Sequence, residues 1–173
     1  MEKERVHQHT SRLVLLAFFT ALGLALSYLE SLVPIPLGVP GAKPGLPNIV
    51  TVTLLYTLGP ADAVLVSLAR IILSGFMFGN LFAILYSMAG FVLSFLSMAA
   101  LKKTGRFGMT GVSAVGGVMH NVGQLLTAVL LTDGSVLAYL PVLVAAGTLA
   151  GIVVGVASGL ISRRASRLMN AVK

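Results

Sequence analysis

Arg70 lies inside an apolar run, Ala61 to Phe78, nine residues after its first residue. If that run is helical, its guanidinium is carried about 13 Å along the axis, near the middle of a bilayer-length segment. Ser67 and Ser74 share its helical face at i−3 and i+4. An ionised side chain at that depth requires an anion or several acceptors. Two readings follow: a structural pair with Glu30, the nearest carboxylate by topology, or contact with an anionic group of a ligand.

A second polar constellation falls in the run Met109 to Leu131. His120 and Gln124 stand at i and i+4 on one helical face, Asn121 adjoins them, and Gly116, Gly117 and Thr127 lie near the same stripe. This face offers donors and acceptors with little bulk around them. It reads either as an interhelical hydrogen-bond network or as a ligand pocket. A metal site is not expected, because no second histidine or carboxylate stands at ligand spacing. Asn80, Ser87, Gly90, Ser94 and Ser97 line one side of the run Leu81 to Leu101. Asn48, Asn80 and Lys43 are expected near the outer ends of their segments. The candidate substrate-binding set is therefore Glu30, Lys43, Asn48, Arg70, Asn80, His120, Asn121 and Gln124.

Catalysis finds little support in these residue types. The five carboxylates are Glu2, Glu4, Glu30, Asp62 and Asp133, and none pairs at a spacing suited to magnesium diphosphate. No G-x-S-x-G segment or P-loop is present. The absence of cysteine excludes disulfides, thiolate catalysis and cysteine-based metal sites. No cofactor is expected in this chain, and any ATP hydrolysis must come from partner subunits.

The elements that position these groups must be membrane helices. Of 173 residues, 57% are hydrophobic and only 10% charged, and the mean hydropathy is +0.98. A soluble domain carries about 25% charged residues, so lipid is the expected solvent. The net charge of +7 does not point to nucleic acid. Its main clusters (Lys3, Arg5, Arg12; Lys102, Lys103, Arg106; Arg163, Arg164, Arg167, Lys173) each flank an apolar run, as cytoplasmic loops do.

Six helices are expected in one all-α transmembrane domain covering residues 1–173. The first is a retained helix over Leu13 to Leu29 rather than a cleaved signal. Residues 31–47 contain Pro34, Pro36, Pro40, Pro44 and Pro47 with Gly38, Gly41 and Gly45. Proline removes donors and clashes with the preceding turn, so this is an external or re-entrant loop. A short second helix runs from Asn48 to Leu58, ended by Gly59-Pro60. The others cover Ala61 to Phe78, Leu81 to Leu101, Met109 to Leu131 and Tyr139 to Ser162. Charge placement tests the count. With residues 1–12 in the cytoplasm, six crossings put the basic loop after the fourth helix and the tail 163–173 there too. Without the short helix, the parity fails at both places.

Two stripes of small residues recur at four-residue spacing: Ala17, Ala21 and Ala25 in the first helix, and Gly147, Gly151, Gly155 and Gly159 in the sixth. Such stripes let another helix backbone approach closely in lipid. Each reads as packing within the bundle or as docking of a separate membrane subunit, and the first helix is the better docking candidate.

The segments Glu30-Ser31-Leu32-Val33-Pro34, Pro44-Gly45-Leu46-Pro47-Asn48-Ile49-Val50, Ala69-Arg70-Ile71 and Gly117-Val118-Met119-His120-Asn121-Val122-Gly123-Gln124 resemble the Gx transporter family, also labelled heptaprenyl diphosphate synthase component I. That family is similar to the substrate-binding S components of energy-coupling factor transporters. The resemblance implies six helices with both ends in the cytoplasm, a loop capping a small-molecule substrate, and a bacterial inner-membrane location. It also implies that Ala17, Ala21 and Ala25 contact a transmembrane coupling subunit served by ATPases. The alternative is a non-catalytic membrane subunit in isoprenoid synthesis. Prenyl diphosphate synthases use aspartate-rich motifs, and this chain has no adjacent aspartates.

Overall fold

In lipid a spanning segment must satisfy its own backbone hydrogen bonds, so long apolar runs close into helices. The computed structural model follows that rule. It describes residues 2–32, 45–132 and 134–171, with side chains within 10–32, 45–132 and 134–164. The helices are α1 (Glu2–Leu32), α2 (Asn48–Thr57), α3 (Pro60–Phe78), α4 (Leu81–Thr104), α5 (Met109–Leu131) and α6 (Leu140–Ala171), with a 3-10 turn at Ser135–Tyr139. Five helices are long and apolar enough to cross a membrane, and α2 is a shorter apolar sixth. The protein is an all-helical, multi-pass membrane bundle.

Local signals set the boundaries. Gly59 at φ 109° turns the chain between α2 and α3, and Pro60 occupies the first position of α3, where its missing N–H costs nothing. Gly105 ends α4 in the left-handed region at φ 68°, the conformation that favours glycine after a helix.

α1 and α3 run parallel. Arg12 pairs with Asp62 at 2.6 Å at one end, and the rings of Tyr28 and Phe78 meet edge-on at 5.6 Å at the other. The chain between them therefore has to return, and the stretch from Gly45 through α2 forms the lower part of that return. Lys102 at the end of α4 donates to the Leu55 carbonyl and lies 4.8 Å from the Tyr56 ring centroid. This fixes the end of α2 at the same end of the bundle as Arg12 and Asp62. A cation at the last turn of a helix satisfies an orphan carbonyl and complements the helix dipole.

α2 is the buried centre. Val50, Val52, Leu54 and Leu55 pack with Leu16 and Phe19 of α1, Ala63, Val66 and Ile71 of α3, Phe91, Phe95 and Met98 of α4, Val112 of α5 and Val154 of α6. Large apolar side chains such as Phe76 and Leu130 instead point outward, the lipid-facing arrangement.

The glycines of α6 pack inside the bundle. A Cβ on Gly147 would lie 2.6 Å from the Gly117 carbonyl oxygen, and one on Gly151 would lie 2.4 Å from that of Ser113. α5 and α6 thus touch backbone to backbone, and the internal-packing reading holds for this stripe. Ala17, Ala21 and Ala25 are exposed on the outer face of α1.

Candidate functional site

The face of α1 that turns inward carries Leu16, Phe19, Gly23, Ser27 and Glu30, all buried. This spacing of three and four residues is one helical stripe. Gly23 meets α3 directly: a Cβ there would lie 3.1 Å from Arg70 Cγ and 3.5 Å from its Cδ. The missing side chain lets the Arg70 stem lie against α1. One turn further along α1 is Ser27, whose hydroxyl is buried with no hydrogen-bond partner. Arg70 itself is only 7% exposed. Eight residues separate it from Asp62, so it stands about 12 Å from that end of the bundle.

Glu30 lies near enough to Arg70 to stabilise its charge. Its carboxylate is also engaged elsewhere. Oε1 accepts the Gly45 N–H at 2.5 Å and the Leu46 N–H at 2.9 Å, so Glu30 holds the chain entering α2. Gly45 adopts φ 89°, a region L side chains rarely occupy. A Cβ on it would stand 2.8 Å from Asn48 Nδ2 and 3.6 Å from His120 Cδ2. The segment before α2 is thereby pressed between Glu30 and α5.

α5 contributes the remaining groups. His120, Asn121 and Gln124 are 5%, 2% and 1% exposed. Gln124 Nε2 lies 3.0 Å from His120 Nε2. An amide N–H needs a lone pair to receive it, so the imidazole is neutral with its proton on Nδ1. That Nδ1 rests against the Gly90 backbone without a well-formed hydrogen bond. Asn121 Nδ2 donates to the Leu143 carbonyl of α6 at 2.8 Å, while its Oδ1 is buried without a partner. The network reading accounts for part of this face and leaves acceptor and donor capacity unused.

The structure brings together Glu30, Asn48, Arg70, His120, Asn121 and Gln124, from α1, α2, α3 and α5. It does not bring Asn80 to them. Asn80 is exposed and caps α4, its side chain accepting from the Ala83 N–H at 2.8 Å, which is the ordinary role of Asn at that position. Lys43 lies outside the described residues. Asn48 stands at the end of its own helix away from Lys102, as expected, but that end lies within the bundle. It lines a cavity with Gly45, Ser94, Ser113, Gly116, Gly117 and Gly151, beside the first half of α5 and the middle of the apolar part of α6, and Ser158 of α6 donates to the adjacent Ile49 carbonyl at 3.1 Å. The physical reason is length. Ten residues of helix rise only about 15 Å, and the far end of α2 is held at the basic end by Lys102.

That cavity has a volume of about 10 Å³, room for one water, with Asn48, Ser94 and Ser113 as its polar side chains beside Val52, Met98, Ala150 and Val154. Ser27, Gly23 and Ser113 were missed by sequence reasoning. A serine within an apolar run carries no periodic signal of its own, although Ser27 shares the Gly23–Glu30 face at helical spacing.

Residues 19–161 match the model of the family described as heptaprenyl diphosphate synthase component I. No curated protein and no solved structure matches the chain. The matched span covers the second half of α1, which carries Gly23, Ser27 and Glu30, all of α2 to α5, and most of α6. With its multi-pass helical architecture, the chain therefore belongs to the heptaprenyl diphosphate synthase component I family, also called the Gx transporter family.

Proposed function

We propose that this protein is the substrate-binding membrane component of a small-molecule uptake transporter of the energy-coupling factor type, seated in a bacterial cytoplasmic membrane. The observation that carries this reading is Arg70. The residue as a whole is only 7% exposed, and no described residue accepts a hydrogen bond from its guanidinium. Burying a charge without acceptors is costly. An arginine kept in that state is better explained by a solute that completes its coordination than by a structural tie. The unused polar atoms of Ser27 and Asn121 support the same conclusion.

The end of the bundle carrying Arg12, Lys102, Lys103, Arg106, Arg163 and Arg164 faces the cytoplasm in this reading, because positively charged loops remain on that side. The solute site then lies at mid-depth, with the entry of α2 above its cytoplasmic half. The chain has no nucleotide-binding motif, so ATP would be hydrolysed by partner subunits. The exposed stripe Ala17, Ala21, Ala25 is the face proposed for the coupling subunit, since small side chains allow close backbone approach in lipid. Ala21→Leu is expected to abolish co-purification with that subunit while changing solute affinity less than about two-fold. Equal loss of both in pull-down and binding measurements would contradict the assignment of that face.

The family description favours a second reading, a non-catalytic membrane subunit associated with heptaprenyl diphosphate synthase. It requires co-purification with a soluble prenyltransferase and altered product chain length on deletion. Among the described residues no group of three His, Cys, Asp or Glu could hold a metal ion, so this chain would not itself supply a magnesium diphosphate centre from them.

A further inference from the structure

Charge and hydrogen-bond capacity around Arg70 limit what its ligand can be. This inference rests on the solute-binding reading above and narrows it to a chemical class. Four groups form the surroundings. Arg70 presents a planar fork of N–H donors, and no described residue takes them. Ser27 offers one more buried hydroxyl on the neighbouring face of α1. Glu30 carries a negative charge close by, held by the Gly45 and Leu46 N–H groups at the entry of α2. A helix N-terminus carries partial positive charge, so that carboxylate is stabilised there and does not depend on the guanidinium. His120 is neutral, because its Nε2 receives the Gln124 amide.

Among the described residues, the cluster holds one cation with unused donors and one anion already provided with donors. A single negative group matches it: two oxygens can take the guanidinium fork side by side, and Ser27 can donate to one of them. A second or third negative charge on the ligand would find no further cation among the described residues of the cluster, and would face the Glu30 carboxylate. Like charges at mid-depth repel strongly where water cannot screen them. Among the described residues Glu30 has no companion His, Asp or Glu set with which to hold a divalent ion that would offset a diphosphate.

We propose that the solute recognised at Arg70 is a monoanion of the carboxylate type, that Ser27 is a second contact to the same group, and that diphosphates are excluded. Benzoate serves as the monoanionic probe, and inorganic phosphate and diphosphate, with and without magnesium, serve as competitors. Saturation-transfer NMR on the purified full chain reads binding of each. Benzoate is expected to bind the wild type and to be displaced at least ten-fold less effectively by diphosphate than by unlabelled benzoate. Ser27→Ala is expected to weaken benzoate about ten-fold, the value of a hydrogen bond to a charged group, and Arg70→Gln to abolish its signal.

Diphosphate displacing benzoate more effectively than benzoate itself would overturn the monoanion class while leaving Arg70 as a binding residue. Benzoate binding that is unchanged in both variants, or the absence of binding by every probe, would overturn the class and the solute-binding reading together. The competition in the wild type reads the class directly, whether or not Arg70→Gln folds.

Discussion

Glycines decide where the charged and polar side chains can sit, and their effects can be measured one residue at a time. Gly90 of α4 faces His120 so closely that a Cβ would lie 2.7 Å from Nδ1 and 3.0 Å from the His120 carbonyl oxygen. The backbone atom cannot move aside as a side chain would. Gly90→Ala is therefore expected to destabilise the bundle by about 1–3 kcal/mol, read as a lower melting temperature in detergent. Gly45→Ala is expected to cost about 1–2 kcal/mol from its left-handed backbone alone, with added strain against Asn48. At this scale the sequence was informative about ionisable and amide groups. Arg70, Glu30, His120, Asn121 and Gln124 stand out because such groups are expensive in a span, and they do converge. It was silent about Ser27, whose hydroxyl can close on its own helix and so announces nothing. Asn80 was misleading because an asparagine before a helix has a capping role that needs no ligand.

The helices show the difference between what periodicity reveals and what depth requires. α5 runs from Met109 to Leu131, the bounds its apolar run suggests, because glycine and loop residues flank it sharply. α2 begins at Asn48 as expected, yet its position along the bundle was not legible. Hydropathy gives a length of segment, and only the ties at Lys102 and Ser158 reveal which half of the bundle ten residues occupy. The two small-residue stripes looked alike in sequence and differ in structure, one buried against α5 and one exposed. Within the α6 stripe the same substitution should have unequal effects. Gly151→Leu would drive a side chain into the α5 backbone and is expected to abolish a monodisperse preparation. Gly159→Ala meets nothing nearer than Met109 Sδ at 3.8 Å and is expected to leave melting within about 0.5 kcal/mol of wild type. Similar losses at both positions, measured by size-exclusion chromatography and thermal melts, would contradict backbone-to-backbone packing of α5 on α6.

For the whole molecule, the placement of charge underlies the membrane orientation proposed above. Arg12 with Asp62, and Lys102 with the end of α2, bring four helices to one end, and the basic residues of the α4–α5 connection and of α6 lie there as well. Lys103→Cys and Leu137→Cys, both at exposed positions, are expected to label from opposite sides of sealed vesicles with an impermeant maleimide. Labelling of both from one side would overturn the bundle's orientation. The solute-binding reading is tested most directly by native mass spectrometry of the wild type and of Arg70→Gln, prepared identically. The expected result is a retained small molecule on the wild type that is missing from the folded variant. A bare wild-type chain, or an adduct of equal mass and occupancy on both proteins, would contradict the assignment of Arg70 as the group that meets the solute.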